Sequence, residues 1–343
     1  MWHEWLAEAR RLGASDLHLE VGVRPLVRLT GRLVPLAGSA PLTAEELAQV
    51  VADLVPSSHR TRLETVGQTD VGIAFGDDER LRVSAFRDRG GYALTVRLLP
   101  RQVPTPEELG LPRAAVELAG RRHGLVLVTG PTGSGKTTTL ASLVDKMNRE
   151  RELHIVTLED PVEYVHRSHR SLVRQREIGT DTDSFASGLR AALRQDPDVI
   201  LVGEMRDAET MAIALMAAET GHLVLATLHT GDAAGAVDRV VGAFEGERQQ
   251  AVRTQLAAVL VGVVAQRLLP RRGREGRVAA FEVLVATPAV RHLIREGKSH
   301  QIASAIQTGG SVGMQTMQAS LRALADAGRI DPELAEVAGR GGE

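Results

Sequence analysis

At 343 residues the chain is longer than one hydrophobic core usually serves, so two domains are expected. Apolar residues make up 43% and charged residues 24%, which excludes a wholly disordered or collagen-like chain. Forty-one basic against 43 acidic side chains and only 3% aromatics argue against a surface that coats nucleic acid, and the lack of cysteine excludes disulfides, thiolate nucleophiles and Cys-ligated zinc.

The N-terminus, M-W-H-E-W-L-A-E-A-R-R, carries charges where a signal peptide needs an apolar core, so the chain is expected to stay in the cytoplasm. A short amphipathic helix over Trp2–Leu12 leads into β-like segments at Leu17–Glu20, Leu26–Thr30 and Arg32–Leu36. Thr43 opens a helix, with Glu46 three residues on in a capping-box pattern. Strands follow near Asp70–Ala74, Arg82–Phe86 and Tyr92–Leu98. Strands and helices without a regular βαβ beat predict an α+β domain over residues 1–99. Prolines 100, 104, 106 and 112 then mark a linker and short helix over residues 100–123.

From Gly124 the texture changes. Near-continuous apolar runs at Leu125–Thr129, His154–Leu158, Val199–Gly203 and Leu223–Leu228 alternate with helical patterns, which predicts a parallel sheet covered on both faces over residues 124–272. The apolar run Ala257–Ala265 reads as part of a helix, and is about half of the roughly 20 residues a membrane span needs. Residues 273–343 are expected to be mostly helical. Within them, Thr287 suits an N-cap, Pro288 the first helical position and Gly297 the stop. Val290, Leu293 and Ile294 then share an inward face, with Arg291 and Arg295 as a basic edge.

Gly130-Pro-Thr-Gly-Ser-Gly-Lys136-Thr137 matches G-x-x-x-x-G-K-[ST] between a buried strand and a helix over Thr137–Asn148. A chance match in a chain this long has odds on the order of one in a hundred. Gly130, Thr132, Gly133, Ser134, Gly135, Lys136, Thr137 and Thr138 are therefore the candidate phosphate-binding residues, with backbone N–H groups and a helix N-terminus facing the anion. Lys136, one of only three lysines, would reach the β- and γ-phosphates, and the Thr137 hydroxyl would ligate Mg²⁺. No N-K-x-D or T-K-x-D segment exists to read guanine, so ATP is the expected nucleotide.

Three acidic positions can serve hydrolysis. Glu204 ends the Val199–Gly203 strand, where a carboxylate can polarise the attacking water or sit near Mg²⁺. Glu159 and Glu163, in L-E-D-P-V-E-Y, follow the strand that can approach the same pocket edge. His222 and His229 flank the Leu223–Leu228 strand, near opposite ends and on opposite faces, so they cannot share one metal ion. One or both could read the γ-phosphate or carry its presence to a neighbouring subunit.

In this order G-P-T-G-S-G-K-T, T-L-E-D-P-V-E-Y, V-G-E-M-R-D and G-H-L-V-L-A-T-L-H-T resemble the Walker A, Asp box, Walker B and His box of the type II/IV secretion ATPases. Glu204 stands where a Walker B aspartate is usual. A-S-D-L-H-L-E over residues 14–20 resembles the opening of that family's N-terminal domain. P-A-V-R-H-L-I-R-E-G over 288–297 and G-M-Q-T-M over 313–317 resemble the pilus-retraction (PilT-like) branch. The resemblance implies an α/β protein with an N-terminal PAS-like α+β domain and a C-terminal RecA-like P-loop ATPase domain. It also implies a homo-hexamer using ATP and Mg²⁺, working on the pilus through an inner-membrane platform protein and other pilus motor components. Such a motor would associate peripherally with the inner membrane, with no nucleic acid as partner.

Thr137, Glu163 and Glu204 are then the expected metal set. Arg82, Arg87 and Arg97 are candidates for an arginine supplied across a subunit interface, and Arg291, Leu293 and Arg295 mark the retraction segment. Three other readings stay open: an extension or secretion ATPase without the family's four-cysteine zinc motif, an accessory retraction paralogue, and a RecA-like nucleic-acid translocase. A nucleotide-gated structural subunit is a further class, against which the three glutamates argue.

Overall fold

The computed structural model describes residues 2–29, 31–75, 79–100, 102–273 and 275–339. Thr30, the expected end of the second strand, and residues 340–343 of the expected helical tail lie outside the described residues. Two compact units form: Met1–Gln102 together with Pro161–Val165, and Val103–Asp160 together with His166–Glu343.

The first unit runs α1 (Trp2–Arg11), β1 (Asp16–Glu20), β2 (Leu26–Leu29), β3 (Arg32–Pro35), α2 (Ala44–Leu54), α3 (Ser57–Val66), β4 (Gln68–Phe75), β5 (Glu79–Asp88) and β6 (Gly91–Leu98). Among the described residues its strands form one antiparallel sheet in the order β3-β2-β1-β6-β5-β4. Alternation puts Leu17, Leu19, Leu81, Val83, Leu94 and Val96 into a core with Leu47, Val50 and Leu54 of α2. The Thr43 hydroxyl accepts from the Glu46 N–H at 3.1 Å and the Glu46 carboxylate accepts from the Thr43 N–H at 2.8 Å, so α2 starts on a closed capping box.

The other face of this sheet is polar. Arg82 and Arg97 stand in register across β5 and β6. The Arg97 Nε donates to Asp16 at 2.8 Å, and Asp16 is buried. Burial alone would raise the Asp16 carboxyl, but the hydrogen bonds from Arg97 and Ser15 hold it below the ordinary carboxylate range. Arg87 lies over the Tyr92 ring, 5.9 Å from its centre.

The second unit begins with α4 (Pro106–Leu109) and α5 (Arg113–Ala119). It continues through β7 (Gly124–Thr129), α6 (Lys136–Glu150), β8 (His154–Glu159), β9 (Leu172–Glu177), α7 (Phe185–Ala192), β10 (Val199–Val202), α8 (Ala208–Glu219), β11 (Leu223–Leu228), α9 (Ala233–Gly242) and α10 (Gly246–Val259). Then come β12 (Leu260–Pro270), β13 (Arg277–Val285), α11 (Pro288–Arg295), α12 (Ile302–Thr308), α13 (Met317–Asp326) and α14 (Pro332–Gly339). The sheet order is β13-β12-β7-β11-β10-β8-β9, parallel throughout except for antiparallel β13. Along β7, Leu125 and Leu127 face one core, and Val126 and Val128 the other, on which α5 and α6 pack. That two-sided burial is why these strands read as unbroken apolar runs.

The structure corrects two expectations here. The Ala257–Ala265 run is not one helix: α10 stops at Val259 and the chain continues as β12. β-branched residues suit a strand buried on both faces, and Gly262 permits close packing there. A Cβ on Gly262 would lie 2.5 Å from the Leu284 carbonyl and 2.6 Å from the Leu118 side chain. The unusual apolarity of the run is that of an inner strand. The chain after Gly273 is also not mostly helical at its start, because β13 returns along β12. β9 lacks an apolar pattern, and nothing in its L-V-R-Q-R-E sequence announced it.

The G-M-Q-T-M segment is a lock on β13. Gln315 bridges Val283 through backbone hydrogen bonds of 2.8 and 3.1 Å, and its side chain donates to the Phe281 carbonyl at 2.9 Å. Thr316 then caps α13.

Helix α11 has the expected cap at Thr287 and buries Val290 and Ile294, with Leu293 partly buried. Arg291 is not part of an open basic edge. Its Nε donates to the Ala286 carbonyl at 3.0 Å, and its Nη1 to the carbonyls of Ala257, at 2.6 Å, and Ala258, where α10 ends. A cation on the last carbonyls of a helix is favourable, and this one fastens α11 to the α10–β12 junction. Burial lowers the Arg291 pKa, helped by the nearby charges of Arg295 and Arg121. The Arg295 side chain stays exposed. Arg291→Ala should therefore cost about 1.5–3 kcal/mol of stability in urea unfolding, while Arg295→Ala stays within about 0.5 kcal/mol. Equal stabilities of the two variants would show that the Arg291 clamp carries no weight.

Candidate active site

The carboxyl ends of β7, β11, β10 and β8 lie side by side in the second unit, and the residues with catalytic chemistry leave the sheet there. The loop after β7 needs its glycines. Gly130 has φ +151°, and a Cβ there would sit 2.4 Å from the Gln266 carbonyl and 2.6 Å from the Ser134 hydroxyl. Gly133 and Gly135, at φ +78° and +88°, hold left-handed backbone that bends the chain into the first turn of α6. At the base of the loop the Thr129 hydroxyl pairs with Thr230, and the Thr230 N–H donates back to it at 2.9 Å, tying the ends of β7 and β11 together.

Lys136, the first residue of α6, is buried and folds its ammonium onto the carbonyls of Gly130 and Pro131 at 2.7 and 3.1 Å. Burial lowers its pKa, and the nearby Glu204 carboxylate works against that shift. The Ser134 hydroxyl is buried without a hydrogen-bond partner among the described residues. Thr137 and Thr138 are half-buried on the first turn of α6, and Thr132 is exposed at the loop tip. Behind the loop lies Gln266 of β12, with its side chain hydrogen-bonded to Ser134 and Thr139.

Glu204 follows the end of β10 on a tightly held turn. The Gly203 N–H donates to the Leu158 carbonyl at 2.8 Å, the Thr227 hydroxyl to the Gly203 carbonyl, and the Met205 N–H to the Thr227 carbonyl at 3.2 Å. Both carboxylate oxygens of Glu204 are engaged, one by Arg206 at 2.8 Å and the other by His229 at 2.9 Å. Burial works to raise the Glu204 pKa, but the Arg206 hydrogen bond and the charges of His229 and Arg206 hold it below the usual carboxylate value. Glu159 is buried at the end of β8, where its Oε1 accepts from Thr157 at 2.7 Å and Gln175 at 2.9 Å.

The sequence-level candidates thus separate. Lys136, Glu204 and His229 belong to one carboxyl edge, with Glu159 on the next strand of that edge. Glu163 falls within Pro161–Val165, which clusters with the first unit. His222 is corrected. It precedes β11, its carbonyl accepts from Gly124 at the start of β7, and the strand between it and the phosphate loop is about 20 Å long. Its Nδ1 meets the Ala217 carbonyl at 3.0 Å, closing the end of α8, so it cannot read a phosphate in its own subunit. Arg206 and Gln266 were missed as site residues. A basic residue two positions after Glu204, and a lone amide inside an apolar strand, were the available signals.

The residues fit a nucleoside polyphosphate and its metal. Positive-φ glycines, a helix N-terminus, a buried ammonium and an unpartnered buried hydroxyl are what phosphate oxygens require. No cluster of three His, Asp or Glu able to hold a metal ion occurs among the described residues.

Comparison with known proteins gives the same picture. Residues 1–331 match the family described as type II/IV secretion system protein. The type IV pilus retraction ATPase PilT of Pseudomonas aeruginosa is 47% identical over 330 residues, covering 96% of this chain and 95% of that protein. The Escherichia coli protein YggR, described as uncharacterized, is 48% identical over 327 residues, 95% of this chain and 99% of its own. A crystal structure of the pilus retraction motor PilT with bound ADP superposes with a TM-score of 0.90 at 45% identity, covering 97% of this chain and 95% of that one. Among the described residues no helix is long and apolar enough to cross a membrane.

The Glu204 cluster predicts a pH dependence for turnover that relies on this carboxylate. A carboxylate held below its ordinary pKa stays ionised as pH falls, so the acid limb of kcat should lie below the ordinary glutamate range. Arg206→Ala leaves the burial and removes the partner, so the limb should move to higher pH. An unshifted limb in that variant would take Glu204 out of the rate-limiting ionisation.

Proposed function

The chain belongs to the type II/IV secretion system protein family, and on that premise we propose that it hydrolyses ATP to power retraction of a type IV pilus. The observation that carries this reading is one carboxyl edge bearing both a complete phosphate loop and the engaged Glu204 carboxylate, in a chain alike over nearly its whole length to a pilus retraction ATPase. ADP in the similar PilT structure supports a nucleotide as the ligand of the Gly130–Thr138 loop.

The roles follow from the chemistry of each group. Lys136 offsets the charge that develops on the transferred group. Glu204 acts as the base toward the attacking water, oriented by Arg206 and His229. Because both of its oxygens already accept hydrogen bonds, it suits a positioned base better than a direct metal ligand. Mg²⁺ held by the Thr137 hydroxyl would supply Lewis acidity at the phosphates. Glu159 shapes the Glu204 side of the pocket through Thr157 and Gln175.

A ring completes the reading. In related NTPases an arginine supplied across an interface raises the rate by about 10³–10⁵. Arg82 and Arg87 are the stronger candidates for that role here, because Arg97 already serves Asp16. The proposed assembly is a homo-hexamer whose nucleotide-driven movements act on the pilus through an inner-membrane platform protein.

Phosphate release against protein concentration, with mass photometry on the same samples, tests the assembly. Turnover should rise as hexamers form. Lys136→Ala should lose nucleotide binding, whereas Glu204→Gln should keep ADP affinity and lose about 10²–10⁴ in turnover. Both variants should fail to restore twitching in a strain lacking this protein. Turnover that is independent of assembly, or stimulated by DNA, would contradict the motor.

A further inference from the structure

One side chain holds the phosphate loop from behind. Gln266 lies in the middle of β12 and is only 1% exposed, among the buried Val263, Val264 and Ala265. A buried amide in an apolar strand is costly unless both its ends are bonded. Here both are bonded, and to the loop and its helix. The Thr139 hydroxyl of α6 donates to Oε1 at 2.8 Å, and because the Ser134 carbonyl can only accept, the NH₂ end of the amide faces the loop. The Nε2 end then donates to the Ser134 carbonyl at 2.5 Å.

That bond has a geometric consequence. In a trans peptide the carbonyl and the following N–H point in opposite directions. Fixing the Ser134 carbonyl on β12 therefore turns the Gly135 N–H away from the strand. At φ +88° Gly135 has little steric resistance to a peptide flip of its own, so an outside contact has to set the orientation. The close approach supports this: a Cβ on Gly135 would lie 3.2 Å from the Gln266 Nε2, and one on Gly130 would lie 2.4 Å from the Gln266 carbonyl. Both the backbone and the side chain of Gln266 thus form the rear wall of the loop.

We infer that Gln266 is a positioning residue for nucleotide binding: its amide, aimed by Thr139, sets the Ser134–Gly135 peptide so that the Gly135 N–H is available to a phosphate oxygen. The inference rests on reading Gly130–Thr138 as the nucleotide site. Gln266 itself touches no substrate in this account.

Calorimetric titration of the full chain with ADP and Mg²⁺ tests it, using Gln266→Glu, Gln266→Met and Thr139→Val, with thermal unfolding as a check of the fold. At neutral pH the glutamate carboxylate would face the Ser134 carbonyl, and ADP should bind at least about tenfold more weakly than to the wild type. Burial raises the pKa of such a carboxyl, so mild acid should protonate it. The protonated group can donate as the amide does, and the deficit should shrink as pH falls. Gln266→Met, of similar length but without a donor, should keep a constant deficit across the same pH range. Thr139→Val leaves β12 untouched and should weaken ADP binding, which keeps the test open if the β12 variants do not fold. Wild-type affinity in these variants, or a Gln266→Glu deficit that acid does not relieve, overturns the positioning role. Failure of the wild type to bind ADP would instead remove the nucleotide site on which the inference rests.

Discussion

Bending a short loop through left-handed backbone between a buried strand and a helix is the constraint on which the rest of this molecule depends. A chain of ordinary residues resists that shape, so it is built from glycines in left-handed backbone and fixed by its surroundings. β7 fixes one end by burial on both faces, Thr230 ties its last residue to β11, α6 carries the loop away, and β12 closes the rear. β12 must itself be buried on both sides to do this. Its apolar run follows from that burial, and Gly262 from the close approach of Leu284 and Leu118.

Charge is arranged by the same logic. Lys136 donates to two loop carbonyls, and Glu204 is held by Arg206 and His229. Each charged group is thereby partnered, as low-dielectric surroundings demand. A nucleotide would offer Lys136 a stronger acceptor than a carbonyl, while Glu204 could keep its partners and turn toward water. On the proposed reading the four strand ends divide the work: β7 serves the phosphates, β10 and β11 the Glu204 cluster, and β8 its flank.

Much of this was legible in the sequence, for reasons that differ by element. The inner parallel strands announce themselves because two-sided burial leaves them predominantly apolar, and the phosphate loop because glycine, lysine and threonine are each forced by backbone shape or chemistry. Capped helices such as α2 and α11 were legible from Thr43, Glu46, Thr287 and Pro288. β12 was misread because an apolar run has no period of its own, and Val259 to Leu260 is a change from helix to strand without a break in hydrophobicity. β9 was hidden by its polar composition. Arg291 looked like a surface charge because spacing along its own helix says nothing of the carbonyls that α10 brings to it. His222 shows the same limit: its motif is shared with His229, but the strand between them carries it to the far end of the sheet.

Hydrogen–deuterium exchange of the full chain, with and without ADP and Mg²⁺, tests the central claim most directly. The account predicts that the largest slowing falls in peptides covering residues 130–139, where loop N–H groups become hydrogen-bonded to phosphate, with a smaller effect at 203–206. Nucleotide-dependent slowing located elsewhere, with the 130–139 peptides unchanged, would contradict it.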